Sequence, residues 1–113
     1  MLFQKNRLKK RGEIKKVFKE GKSFKENSLI LKKMENDLTE SRFCIIVSQK
    51  VSKKATIRNE LKRRLRELIR QRLKEIKIGV DVLLITLPGI EKKDFSQLEE
   101  NLDNILLKAK ILK

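Results

Sequence analysis

The residues of this chain best suited to chemistry are cations, concentrated between Lys50 and Arg70, where the sequence reads KVSKKATIRNELKRRLRELIR. Wound at about 100° per residue, this stretch and its continuation place Ile57, Leu61, Leu65, Leu68, Ile69, Leu73 and Ile76 on one side. Asn59, Lys62, Arg63, Arg66, Arg70 and Lys74 fall on the other. Such a helix has an apolar back to bury and a cationic front that can hold a polyanion by its phosphates. Glu60 and Glu67 lie at one border of the front, spaced to pair with Arg64 and Arg70 without cancelling the rest. Lys50, Lys53 and Lys54 extend the charge ahead of the helix, and Thr56 is placed to cap it.

Composition points the same way. There are 30 Lys and Arg against 15 Asp and Glu, a formal charge of +15 in 113 residues. Self-repulsion on that scale is costly in a compact fold unless a polyanion neutralises it, so nucleic acid is the expected partner. With no histidine and a single cysteine, Cys44, a disulfide framework and the spacing of zinc ribbons are excluded. The acids are scattered rather than clustered as two-metal hydrolysis requires, so no catalytic residue is expected. No apolar run approaches the ~20 residues of a membrane span, and the basic N-terminal stretch lacks the apolar core of a signal peptide. The expected setting is the cytoplasm, with Cys44 a small buried hydrophobe in a strand.

The elements that must position these cations fit one domain spanning residues 1–113, with no repeat or linker. Ile14, Val17 and Phe18 at helical spacing before Gly21 predict a short first helix closed by glycine. Ser23 to Met34 reads as one strand or two short ones, and Glu35 to Glu40 as a loop. RFCIIVS, from Arg42 to Ser48, reads as a strand with little water on either face, central in a sheet. The cationic helix follows, with Gly79 as its stop. Val80 to Leu87 is a second buried strand ended by Pro88 and Gly89. Ser96 with Glu99 forms a capping box for a closing helix that buries Leu98, Leu102, Ile105, Leu106 and Ala109. A strand, helix, strand unit from Arg42 to Leu87 suggests parallel pairing, and the physical prior for its crossover is right-handed.

VSQK at 47–50, followed by KKATIRNELKRRLRE at 53–67, resembles the Arg-Asn signature of the bacterial ribonuclease P protein family: a strand, a short loop, Ala, two residues, Arg-Asn, two residues, a basic pair, then Arg-Glu. NRLKKRGEIKKVFKEGKSF near the N-terminus is similar to that family's basic start and Val-Phe-x-x-Gly close, so the resemblance covers nearly the whole chain. It implies an α+β fold, a small two-layer sandwich in the order α-β-β-β-α-β-α, with a left-handed crossover that overrides the generic prior. It implies a protein subunit that binds the catalytic ribonuclease P RNA and the 5′ leader of precursor tRNA, assisting endonucleolytic removal of the leader while the RNA does the chemistry.

Carried over by residue, the resemblance assigns Lys50, Lys53, Lys54, Arg58, Asn59, Lys62, Arg63, Arg66 and Arg70 to the catalytic RNA. It assigns Ile14, Phe18 and Lys32 to the leader cleft. Ile14 and Lys32 stand where the family usually has aromatics, Ser52 and Cys44 where it often has glycine, and the loop before the helix is one residue longer. Asn59 is implied as a ligand to RNA or to hydrated magnesium, although an amide in a helix's first turn can equally serve backbone N–H groups. Mg2+ is expected through the RNA, with no protein-bound cofactor, no DNA and no membrane. A ribosomal or other structural RNA-binding protein is the alternative that shares this charge and size, and a membrane-surface helix would not need two buried strands.

Overall fold

The computed structural model describes residues 3–112. Its elements are α1 (Arg11–Glu20), β1 (Lys22–Glu26), β2 (Leu29–Glu35), β3 (Arg42–Ile46), α2 (Ala55–Gln71), β4 (Val80–Thr86) and α3 (Phe95–Lys108). The strands form one sheet in the order β1-β2-β4-β3, antiparallel except for the parallel pair β3–β4. Leu61, Leu65, Leu68 and Ile69 of α2 and Leu98, Leu102, Ile105 and Leu106 of α3 pack on Leu29, Leu31, Phe43, Ile45, Val82 and Leu84, forming the main core. On the opposite face α1 adds a partial layer, in which Val17 joins Leu8 and Leu83.

β3 is an edge strand rather than a central one. Its burial alternates, with Phe43 and Ile45 inside and Arg42, Cys44 and Ile46 half-buried, as period-2 geometry requires when one face is only partly covered. The outer edge is shielded where Leu8 N–H donates to the Phe43 carbonyl at 2.9 Å. Ser23–Met34 resolves into two strands joined at Asn27, which takes the left-handed conformation (φ 52°). Buried Asn101 of α3 clamps that turn, accepting from Ser28 N–H at 3.1 Å and donating to the Glu26 carbonyl at 2.8 Å.

The hand of the β3–α2–β4 crossover follows from residue chirality. Leu87 N–H bonds the Ser28 carbonyl and Asn36 N–H the Gly79 carbonyl, so the odd-numbered residues of β4 bond β2 and the even-numbered ones face β3. Viewed from the α2 side with β4 running upward, Leu84 points at the viewer, and an L-residue so placed directs its N–H and C=O to the right. β3 therefore lies to the right of β4, and the chain leaving it crosses in front and moves left. The crossover is left-handed, against a strong prior and as the resemblance implies.

Three local expectations give way to longer-range partners. α2 begins at Ala55 with Lys54, not Thr56, at its N-cap and no side-chain cap. It ends at Gln71, well before Gly79, because Arg72 turns back to the Leu68 carbonyl at 3.0 Å and reaches across to Glu99 at 2.6 Å and to Asp103. Ile76 is then extended and bridges Leu112. The capping box of α3 is Asp94 with Gln97, not Ser96 with Glu99, since Glu99 is engaged by Arg72. Gly21 does close α1, but at an ordinary φ of −69°. Glycine is needed there because a Cβ would sit 2.4 Å from the Val17 carbonyl oxygen.

Candidate nucleic-acid interface

The polar side of α2 divides into two strips. At 100° per residue, Asn59, Arg63 and Arg70 point directly away from the buried back, and all three are exposed. Arg63 and Arg70 carry acid partners there: Glu60 takes both Arg63 at 2.6 Å and Arg64 at 2.9 Å, and Glu67 takes Arg70 at 2.5 Å. Hydrogen bonds from Arg63 and then Arg64 hold the Glu60 carboxyl below its ordinary range, and the bond from Arg70 leads the effects that hold Glu67 down at about 2.

The second strip, Arg58, Lys62 and Arg66, lies on the flank towards β3 and is half-buried. Arg66 lines a recess with Phe43, Cys44 and Ile45 at the sheet edge. Burial pushes the Cys44 thiol upward, opposed by the nearby charges of Arg66 and Lys62. This flank therefore brings the cations of α2 round to the other face of the sheet. Arg58 is partly spent on the loop, its guanidinium donating to the Ser52 carbonyl at 2.9 Å.

Lys50, Lys53 and Lys54 are exposed on that loop, which is pinned by Val51, only 4% exposed in the core. Ser48 and Ser52 hydroxyls accept the N–H groups of Lys50 and Lys54 at 3.3 and 3.2 Å. Serine at position 52 is thus accommodated as a turn-making acceptor. With no side-chain cap, the positive N-terminal end of α2 opens among lysines, an arrangement suited to a phosphate.

The structure also brings Ile14, Phe18 and Lys32 together on the α1 face. Phe18 is 51% exposed rather than core, and the Lys32 ammonium sits 4.1 Å from its ring centroid. Ile14 packs on the cluster of Leu8, Val17 and Leu83. Lys32 pairs across the sheet with Leu83, which pairs with Cys44. The next row is Ile30, Ile85 and Ile46, each only half-buried, and sequence reasoning missed it by reading β3 and β4 as covered on both faces. The alternation in β2, with Leu29 and Leu31 buried and Ile30 and Lys32 on the opposite face, is the signal that could have found it. An apolar floor with a half-exposed ring and a cation at its side suits unstacked bases of a single strand. Cys44 is the seam where this cleft meets the flank of α2.

α1 is tied to the sheet by a partly buried ion network. Arg42 grips Asp81 through two bonds, at 2.9 and 2.7 Å, and reaches Glu13 of α1 at 3.1 Å, while Asn36 donates to Asp81 at 2.8 Å. Among the described residues no group of three or more metal-ligating side chains is assembled, and no helix is long and apolar enough to cross a membrane.

The chain matches the family model for ribonuclease P over residues 2–110. It is 38% identical to the ribonuclease P protein component of Pseudanabaena over 99% of this chain and 97% of that one. The fold superposes on the RNase P protein of Thermotoga maritima with a TM-score of 0.82 at 34% identity, covering 90% of this chain and 96% of that one. For the Staphylococcus aureus RNase P protein the TM-score is 0.89 at 25% identity, covering 96% and 98%. With the Arg-Asn helix, the cationic flank and the left-handed crossover in place, the chain belongs to the ribonuclease P protein family, as the protein component of the ribonucleoprotein endonuclease that matures tRNA 5′ ends and whose RNA subunit carries the catalysis.

Proposed function

We propose that α2 and the loop before it bind the ribonuclease P RNA, and that the cleft between α1 and the sheet holds the single-stranded 5′ leader of precursor tRNA. The observation that carries this reading is the continuity of the two surfaces: Arg58, Lys62 and Arg66 run from the helix to Cys44, where the row leading to Lys32 and Phe18 begins. The catalytic RNA on one side and its substrate's leader on the other would be held by adjoining surfaces, the cations of α2 meeting at Cys44 the row that leads across Leu83 to Lys32. Exposed Asn59 is placed to meet an RNA group or a magnesium ion hydrated on the RNA, and Mg2+ enters through the RNA. A free thiol at Cys44 suits work in the cytoplasm.

Reconstitution tests this. The protein should raise the rate at which a bacterial ribonuclease P RNA cleaves precursor tRNA at low magnesium, and the protein alone should cleave nothing. No rise in rate, or turnover by nuclease-free protein without RNA, would contradict the reading.

A further inference from the structure

A second recess lies apart from the cleft, at the far end of α2. It is a cavity of about 250 Å³ between the N-terminal turn and the segment that leaves the helix. Phe3, Ile76 and Ile78 give it apolar walls, and Lys5, Lys74 and Lys77 stand round it. Its volume is below the ~300–1,000 Å³ of sites for drug-sized ligands and of the scale of one base. Two walls are unusually open for large apolar side chains, Phe3 at 57% and Ile78 at 69% exposed.

Asn6, only 5% exposed, also lines the cavity. Its Nδ2 donates to the Ser41 carbonyl at 2.9 Å, while its Oδ1 is the one buried side-chain N or O atom among the described residues with no hydrogen-bond partner. A buried acceptor left unpaired is costly, and a donor such as the exocyclic amine of a base would relieve it. The single acid at the rim, Glu40, is neutralised by Lys5 at 3.6 Å. Leu73 and Lys74, in the turn just past the end of α2 at Gln71, line the cavity, so a strand that runs along the helix to its C-terminal end arrives beside it.

We propose that this cavity takes one unstacked base of the RNA that lies along α2, the apolar walls holding the ring and Lys77 its phosphate. The proposal rests on the reading of α2 as an RNA-binding face. It adds a binding point outside both the helix front and the leader cleft, and it favours a base bearing an exocyclic amine.

The test is an NMR titration of the labelled protein with adenosine 5′-monophosphate and, in parallel, with ribose 5-phosphate. The nucleotide should shift the Asn6 side-chain amide and the Ile76 and Ile78 methyls, and the sugar phosphate should leave them in place. Equal shifts from both would mean lysines binding phosphate alone, and no shifts would mean no site; either overturns the proposal. Ile78→Ala, at an exposed position, should melt normally and lower affinity for ribonuclease P RNA by about five- to tenfold, and an unchanged affinity overturns it. Lys62→Ala with Arg66→Ala separates the two readings. If RNA affinity survives that pair, the α2 reading falls and the strand assigned to the cavity falls with it. If the pair loses RNA affinity while the nucleotide moves nothing, only the cavity falls.

Discussion

Lys32 and Phe18 are joined twice: the Lys32 ammonium lies 4.1 Å from the Phe18 ring centroid and donates to the Phe18 backbone carbonyl at 2.8 Å. The carbonyl anchor ties β2 to the last turn of α1, and the cation over the ring adds about 0.5–1 kcal/mol at an exposed site. Lys32 thus steadies the exposed Phe18 ring from the neighbouring strand.

Phe18→Ala should therefore leave stability within about 1 kcal/mol of the parent, as for an exposed position, and reduce affinity mainly for precursors with a leader of several nucleotides. If the ring stacks on a base, that loss is about 1–3 kcal/mol; mature tRNA should be indifferent. Melting and binding curves with long-leader and leaderless substrates check it, and an unchanged ratio of the two affinities contradicts it.

Arg42 is the residue whose loss should damage the fold most among the cations. Its side chain is 19% exposed and that of Asp81 is 9% exposed, so Arg42→Ala leaves a buried carboxylate without its cation, with Asn36 its remaining donor. The expected cost is about 3–5 kcal/mol, read by denaturant unfolding. Adding Asp81→Asn should recover part of it; no recovery would mean that Arg42 acts through packing alone.

Acid should weaken the protein through Glu67 and Glu60. A carboxyl whose folded pKa is depressed stabilises the fold above its unfolded value and loses that contribution as pH falls through the folded value. For Glu67 the window runs from 4.5 down to about 2, with Glu60 shifted in the same direction. Glu67→Gln should flatten the fall of melting temperature across that window, and an identical pH profile in parent and variant would contradict the assignment.

Much of this was legible in the sequence because it rests on periodicity. Leu61, Leu65, Leu68 and Ile69 specify the back of α2, and Leu98, Leu102, Ile105 and Leu106 that of α3, by spacing alone. The cationic front, including the border position of Glu60 and Glu67, follows from the same geometry. What sequence could not show depends on partners far along the chain. The end of α2 is set by the reach of Arg72 to α3, the capping box by the diversion of Glu99 to Arg72, and the edge position of β3 by pairing order. In the site, the residue types were readable but the division of α2 into an outward strip and a flank meeting Cys44 was not, because it depends on which side of the helix the edge strand lies.

Whether the flank of α2 holds the ribonuclease P RNA itself is measured most directly by the affinity of the Lys62→Ala, Arg66→Ala protein for that RNA, without substrate, across a series of salt concentrations. Removing one cation that neutralises a phosphate should lower the slope of log affinity against log salt by about 1, so the doubly substituted protein should bind more weakly and with a slope smaller by about two. An affinity and slope equal to the parent's, or a defect that shows only when a leader-bearing precursor is present, would contradict the account.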